Sequence, residues 1–131
     1  AGAGSELESW LFPIMRDLWV LKAALGTMPG HRWRLEAGKS CTSTEMVLGL
    51  EKLIDALSER FDPPTEFVVP GGNVVSAWLD IARTVVRRAE RHAIAAAPHP
   101  SLAVPYLNRL SDLLWTMARW QEGQSLPVRG V

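Results

Sequence analysis

Four stretches of the sequence repeat their apolar residues at intervals of three and four, and none alternates apolar with polar over the length of a strand. A period of three to four puts the apolar side chains on one face of a helix, and such a face is buried by other helices. The chain is therefore read as mainly α, an antiparallel bundle of four to five helices. Its 131 residues suit one domain over 1–131. A chain of that size buries about two thirds of its unfolded surface without needing disulfides.

The first helix is expected over residues 6–25. Ser5 and Glu8 have capping-box spacing, and the buried stripe is Leu7, Trp10, Leu11, Ile14, Met15, Leu18, Trp19 and Ala23. Pro13 lies inside this pattern and is expected to kink the helix or delay its start, because it has no N–H to donate. Gly26 is a stop signal, Met28-Pro29-Gly30 a turn, and the residues up to Cys41 an exposed connection. A second helix is expected over 43–60, capped by Thr42 with Glu45, with the stripe Met46, Val47, Leu50, Leu53, Ile54 and Leu57. Asp62-Pro63-Pro64 ends it.

Phe67-Val68-Val69 reads as extended ahead of Pro70, and Pro70-Gly71-Gly72 as a turn with Asn73 as the next N-cap. The third helix is expected over 74–97. Its apolar face is Ala77, Trp78, Ile81, Ala82, Val85 and Ala89, flanked by Val86 and Ala93, and Pro98 and Pro100 stop it. The fourth is expected over 105–121, with Pro105 in the first turn and Leu107, Leu110, Leu113, Leu114 and Met117 toward the core. The residues from Gly123 onward read as a tail.

Composition removes several functional classes. Fourteen Lys plus Arg balance fourteen Asp plus Glu, so no global field draws the chain to nucleic acid or to an anionic membrane. No apolar run is long enough to span a bilayer, and Ala1 to Ser9 lacks the parts of a signal peptide. Cys41 is the sole cysteine, which excludes an internal disulfide and a cysteine zinc cage and fits a reducing, cytoplasmic location. His31, His92 and His99 lack ligand spacing, so no protein-bound metal is expected. Gly38-Lys39-Ser40 resembles the end of a phosphate loop, but Trp33 stands where that loop needs glycine. No Ser/His/Asp arrangement accompanies a nucleophile elbow.

Chemistry concentrates on two polar faces. Arg83, Arg87 and Glu90 share one face of the third helix at i, i+4, i+7. Two guanidiniums so placed make a fork for polyphosphate or carboxylate, or else a solvated face laced by Arg87–Glu90 and Arg91 pairs. Asn108, Asp112, Trp115 and Arg119 follow the same spacing on the fourth helix. If the two helices are neighbours, these faces meet as a polar site or as a ladder of ion pairs.

Phe67-Val68-Val69-Pro70-Gly71-Gly72, then Ala82-Arg83-Thr84 and Arg87-Arg88-Ala89-Glu90-Arg91, resembles the PduO-type ATP:cob(I)alamin adenosyltransferases. Tyr106-Leu107-Asn108-Arg109-Leu110-Ser111-Asp112-Leu113-Leu114-Trp115 resembles that family's second signature, in the same order. The resemblance implies a ferritin-like, cobalamin adenosyltransferase-like bundle, a homotrimer with sites between subunits, and transfer of the 5′-deoxyadenosyl group of ATP to cob(I)alamin with release of triphosphate. ATP, a corrinoid and Mg2+ would be the small molecules. A reductase supplying cob(I)alamin and a B12-dependent acceptor enzyme would be the partners, with no nucleic acid and no membrane. Arg83, Arg87, Glu90 and Asn108 would line the ATP site, with Arg87 offsetting charge on the leaving triphosphate. Phe67, the other catalytic candidate, would pack beneath the corrin ring, keep the lower axial ligand off cobalt and so ease its reduction. Trp115 would extend that wall. Arg83 would also pair with an acid across the subunit interface, which Arg88 and Arg91 would brace.

Three departures accompany the resemblance. The family's N-terminal KTGD-type segment and first helix do not precede Ala1, and the absent initiator Met leads us to expect a trimmed chain. Asp80 stands where many members carry His, placed to pair with Arg83, and Pro13 lies in a normally helical segment. A non-catalytic corrinoid carrier or regulatory paralogue, or a structural trimeric bundle, are the alternative readings.

Overall fold

The computed structural model describes residues 4–26, 42–96 and 101–123. They form four helices: α1 (Gly4–Gly26), α2 (Thr44–Ser58), α3 (Val74–Ala96) and α4 (Ala103–Glu122). The turn and connection expected over 27–41, the stop at Pro98 and Pro100, and the tail after Gly123 lie outside the described residues.

α4 is the central helix. Leu107, Leu110, Leu113, Leu114 and Met117 are all buried as their spacing predicts, and Tyr106, Ser111, Thr116 and Arg119 are buried with them. Burial over most of the circumference, with Pro105 and Asp112 exposed, requires neighbours on most sides. Asp80 of α3 meets Arg119 while Glu90 meets Asn108, so α3 runs antiparallel to α4. Trp10 of α1 lies 5.3 Å from Trp120 between ring centroids, and Asp17 meets Tyr106, so α1 is antiparallel to α4 as well. Leu50 and Leu57 of α2 and Leu7, Ile14 and Leu21 of α1 close the same core. Arg60, just past α2, bonds Glu6 at 2.7 Å and lies over the Trp10 ring.

Helix starts depart from the sequence reading in three places, one of them α4, which begins at Ala103 rather than Pro105. α1 already includes Gly4 and Ser5, so the expected Ser5–Glu8 box does not begin it. The chain enters through Gly4 at φ 77°, a conformation open to glycine, and the start moves ahead of Ser5. α1 then runs through Pro13. For α2 the cap is Ser43, not Thr42: Ser43 Oγ accepts from the Met46 N–H at 3.3 Å, and Met46 Sδ accepts the Ser43 N–H. The helix starts one residue later than the Thr42–Glu45 spacing suggests. Asn73 caps α3 as expected, its Oδ1 accepting from Ser76 N–H at 2.8 Å.

Two apolar stripes are oriented differently from expectation. On α1, Met15 and Trp19 are exposed and Val20 and Leu21 are buried in their place. On α3 the difference is larger. Trp78 (66% exposed), Ile81 and Val85 face outward, whereas Ser76, Leu79, Asp80 and Ala93 are buried. The inward face of α3 is mixed: Leu79, Ala82, Val86 and Ala93 pack on the core, and Asp80 and Glu90 lie beside them because they find partners on α4.

The Tyr106 hydroxyl is buried and donates to Asp17 Oδ2 at 2.9 Å. Burial first, and the Asp17 carboxylate second, push its pKa above the ordinary 10.0. The folded state thus holds this proton where the unfolded chain releases it. The stability this hydroxyl contributes is complete below pH 10 and falls as the pH rises above it. Titration of thermal stability should show that fall, and Tyr106→Phe should remove it.

Candidate active site

A cleft of about 690 Å³ opens between the loop that follows α2 and the paired helices α3 and α4. Phe67, Arg83, Trp115 and Arg119 line it, with Glu66 and Pro70. Three residues expected to touch ligand, Phe67, Arg83 and Trp115, are thereby brought to one place from a loop and two helices. Phe67 is held ahead of Pro70, which restricts Val69 to extended backbone, and its ring is 90% exposed. It is no staple pinning the loop to the core.

The other three expected ligand-binding residues form a separate line along the α3–α4 seam. Arg87 Nη1 lies 3.4 Å from Glu90 Oε1, and Asn108 Nδ2 donates to Glu90 Oε2 at 3.0 Å. Asn108 Oδ1 in turn accepts from Arg109 Nη2 at 2.6 Å, and Arg109 also meets Asp112 at 2.7 Å. Glu90 is thus fixed on both oxygens, while Arg87 is half exposed. Arg83 and Arg87 are one helical turn apart on the same face, so the line begins where the cleft ends.

Beneath the cleft lies a buried ion cluster. Arg119, 1% exposed, donates through Nη2 to Asp80 Oδ2 at 2.6 Å and to Glu122 Oε1 at 2.7 Å. Asp80 presents its other oxygen to Arg83 Nε at 3.4 Å, the pairing the sequence suggested. Arg119 Nε has no hydrogen-bond partner. The guanidinium carbon of Arg119 stands 5.7 Å from the centre of the Trp115 ring. The sequence placed Arg119 on a polar face without predicting its burial. Glu122 was missed, although its i, i+3 spacing from Arg119 was the available signal. The two faces therefore meet as a ladder of ion pairs and hydrogen bonds that borders a cleft.

The family model for cobalamin adenosyltransferase matches residues 2–121. The chain belongs to that family. A corrinoid adenosyltransferase from Citrobacter freundii is 40% identical over 121 residues, covering 90% of this chain and 67% of the relative. One from Mycobacterium tuberculosis is 51% identical over 75 residues, covering 53% of this chain and 39% of its own. A variant of a PduO-type ATP:corrinoid adenosyltransferase from Lactobacillus reuteri, solved with cobalamin and ATP, superposes with a TM-score of 0.83 at 24% identity. It is matched over 98% of this chain and 72% of its own, which shows the shared fold. The resemblance read from the two motifs and the helical-bundle class are both borne out. As a cobalamin adenosyltransferase family member, the chain spans two thirds of the Citrobacter protein but well under half of the mycobacterial one.

Proposed function

We propose that this chain transfers the 5′-deoxyadenosyl group of ATP to cob(I)alamin or a related corrinoid and releases triphosphate. The observation that carries the reading is the adjacency of an aromatic cleft, Phe67 with Trp115, to an arginine-lined polar seam in a member of this family. Cobalt's electron pair forms the bond to the 5′ carbon as the carbon–oxygen bond to triphosphate breaks, and the pair in that bond leaves with the triphosphate. Little covalent work falls to the protein, so catalysis rests on placing the two substrates and offsetting the charge that leaves. Arg87, one arm toward Glu90 and the rest in solvent, is suited to that charge. Glu90 and Asn108, mutually bonded, orient the nucleotide. Arg83 reaches from the cleft toward the same phosphates.

Mg2+ enters with the nucleotide in this reading. Among the described residues no three His, Cys, Asp or Glu side chains are grouped to hold a metal ion, and Mg2+ is ordinarily carried by substrate phosphates and water. Cob(I)alamin must be supplied by a reductase, and the product suits a B12-dependent acceptor enzyme. The reducing cytoplasm suits both. Among the described residues no helix is long and apolar enough to cross a membrane.

The test is adenosylation of reduced cobalamin by the full-length protein, followed by the absorbance of the alkylated product. Turnover supports the reading. Corrinoid binding without turnover would assign a carrier, and no binding would leave a structural bundle. Phe67 provides a sharper check. With its ring exposed, Phe67→Ala should change stability by no more than about 0.5 kcal/mol. If the ring keeps the lower ligand off cobalt, the same variant should lose the four-coordinate cob(II)alamin signal in electron paramagnetic resonance. An unchanged signal would reject the role.

The assembly we propose is a homotrimer built on the outward stripe of α3. Trp78, Ile81 and Val85 lie at helical spacing and present contiguous apolar surface, the kind that marks an interaction site. Sedimentation velocity should give a trimer, and Trp78→Asp should give monomers without unfolding α3. A monomeric parent protein at tens of micromolar would count against the assembly.

A further inference from the structure

We propose that Arg119 is a positioning residue for Trp115, holding the indole ring flat against the wall of the cleft so that it meets a corrinoid face. The inference rests on the corrinoid reading of that cleft. Its basis is the geometry of the buried cluster. Asp80 and Glu122 both accept from a single nitrogen of Arg119, at 2.6 and 2.7 Å, so the guanidinium is fixed from two sides. The guanidinium lies within cation–π range of Trp115, 5.7 Å from its ring centre. Arg119 is one helical turn beyond Trp115, which places both on one face of α4.

Stability alone does not account for the cluster as a whole, because buried ion clusters are commonly matched by apolar residues of similar volume at all of their positions. A leucine or methionine would fill the space. It would not present a flat cation to an indole. Trp115 is half buried and lines the cleft together with Phe67, so the guanidinium at 5.7 Å is the contact placed to fix the ring's orientation there.

A double-mutant cycle on corrinoid affinity tests this. Cob(II)alamin, in the presence of ATP, is titrated into the full-length protein and followed by its absorbance, with ATP KM measured separately. Arg119→Lys keeps a cation between the two carboxylates but removes the flat face. It should raise the corrinoid Kd about 5-fold with ATP KM unchanged. Trp115→Leu should raise the Kd about 10-fold. Together the two should cost no more than Trp115→Leu alone, since the arginine acts through the ring. A combined loss near the product of the two would overturn the proposal. An unchanged Kd in Trp115→Leu would instead remove the corrinoid reading of this wall, and the proposal with it. If Arg119→Lys does not fold, Asp80→Asn loosens the arginine from one side while Glu122 still neutralises it. That variant must raise the Kd in the Trp115 protein and leave it unchanged in the Trp115→Leu protein. Any other pattern rejects the coupling.

Discussion

Arg119→Met should destabilise the chain by about 3–5 kcal/mol, the range for removing one partner of a buried ion pair. The substitution keeps most of the side-chain volume, so lost packing is a small part of the effect. What remains is a pair of carboxylates, Asp80 and Glu122, with side chains only 7% and 2% exposed and no cation between them. Arg83, at 3.4 Å from Asp80 and partly in solvent, offsets one of the two at most. Against a total stability of about 5–15 kcal/mol the loss is large. Chemical denaturation with an unchanged m-value measures it directly. Replacing the whole cluster, as Asp80→Leu, Arg119→Met and Glu122→Leu together, should recover most of the stability, because no buried charge is then left unpaired. A single Arg119→Met variant within about 1 kcal/mol of the parent would show that the carboxylates reach water, contrary to their burial.

Arg87→Ala should cost turnover rather than stability. The side chain is half exposed, and its contact with Glu90 is a long 3.4 Å, so the pair adds at most about 1 kcal/mol to folding. If Arg87 meets the leaving triphosphate, its loss should raise the barrier by about 2–4 kcal/mol, as for other preorganised donors. Glu90 keeps its bond to Asn108 in the variant, so the seam persists. Arg87→Lys should recover part of the rate, having charge but no planar fork. Parent-like kcat in Arg87→Ala would remove this residue from the site.

The elements most legible in the sequence are those whose own spacing decides their fate. The leucines of α4 and the stripe of α2 face the core as their period requires. The Asn73 cap forms because one local side chain satisfies one local N–H. The spacing of Trp78 and Ile81 points to the core because apolar residues usually face inward, yet both are exposed. Which way a helix turns depends on what its other face meets, and here Asp80 and Glu90 meet Arg119 and Asn108 from a distant part of the chain. No local pattern carries that pairing. For the site, Phe67 and Trp115, expected as one wall, share a cleft; Arg83, expected with Arg87, Glu90 and Asn108, lines that cleft, while those three assemble along the adjoining seam. Glu122 escaped notice because its role exists only once Arg119 is enclosed.

Gly72 and Glu122 together occupy a space that holds only one side chain. A Cβ built on Gly72 would lie 2.9 Å from Glu122 Cγ, and that glutamate is anchored on Arg119 at 2.7 Å, so moving it aside disturbs a buried ion pair. The two positions are therefore not independent letters of the sequence. Enlarging residue 72 is compatible with this fold only where residue 122 is shortened. In a library that randomises both, survivors should fall into two groups, glycine at 72 with a long side chain at 122, or a small side chain at 72 with a short one at 122. Correlated variation of this kind would tie the loop bearing Phe67 to the last turn of α4, two segments some fifty positions apart that share the room for one methylene.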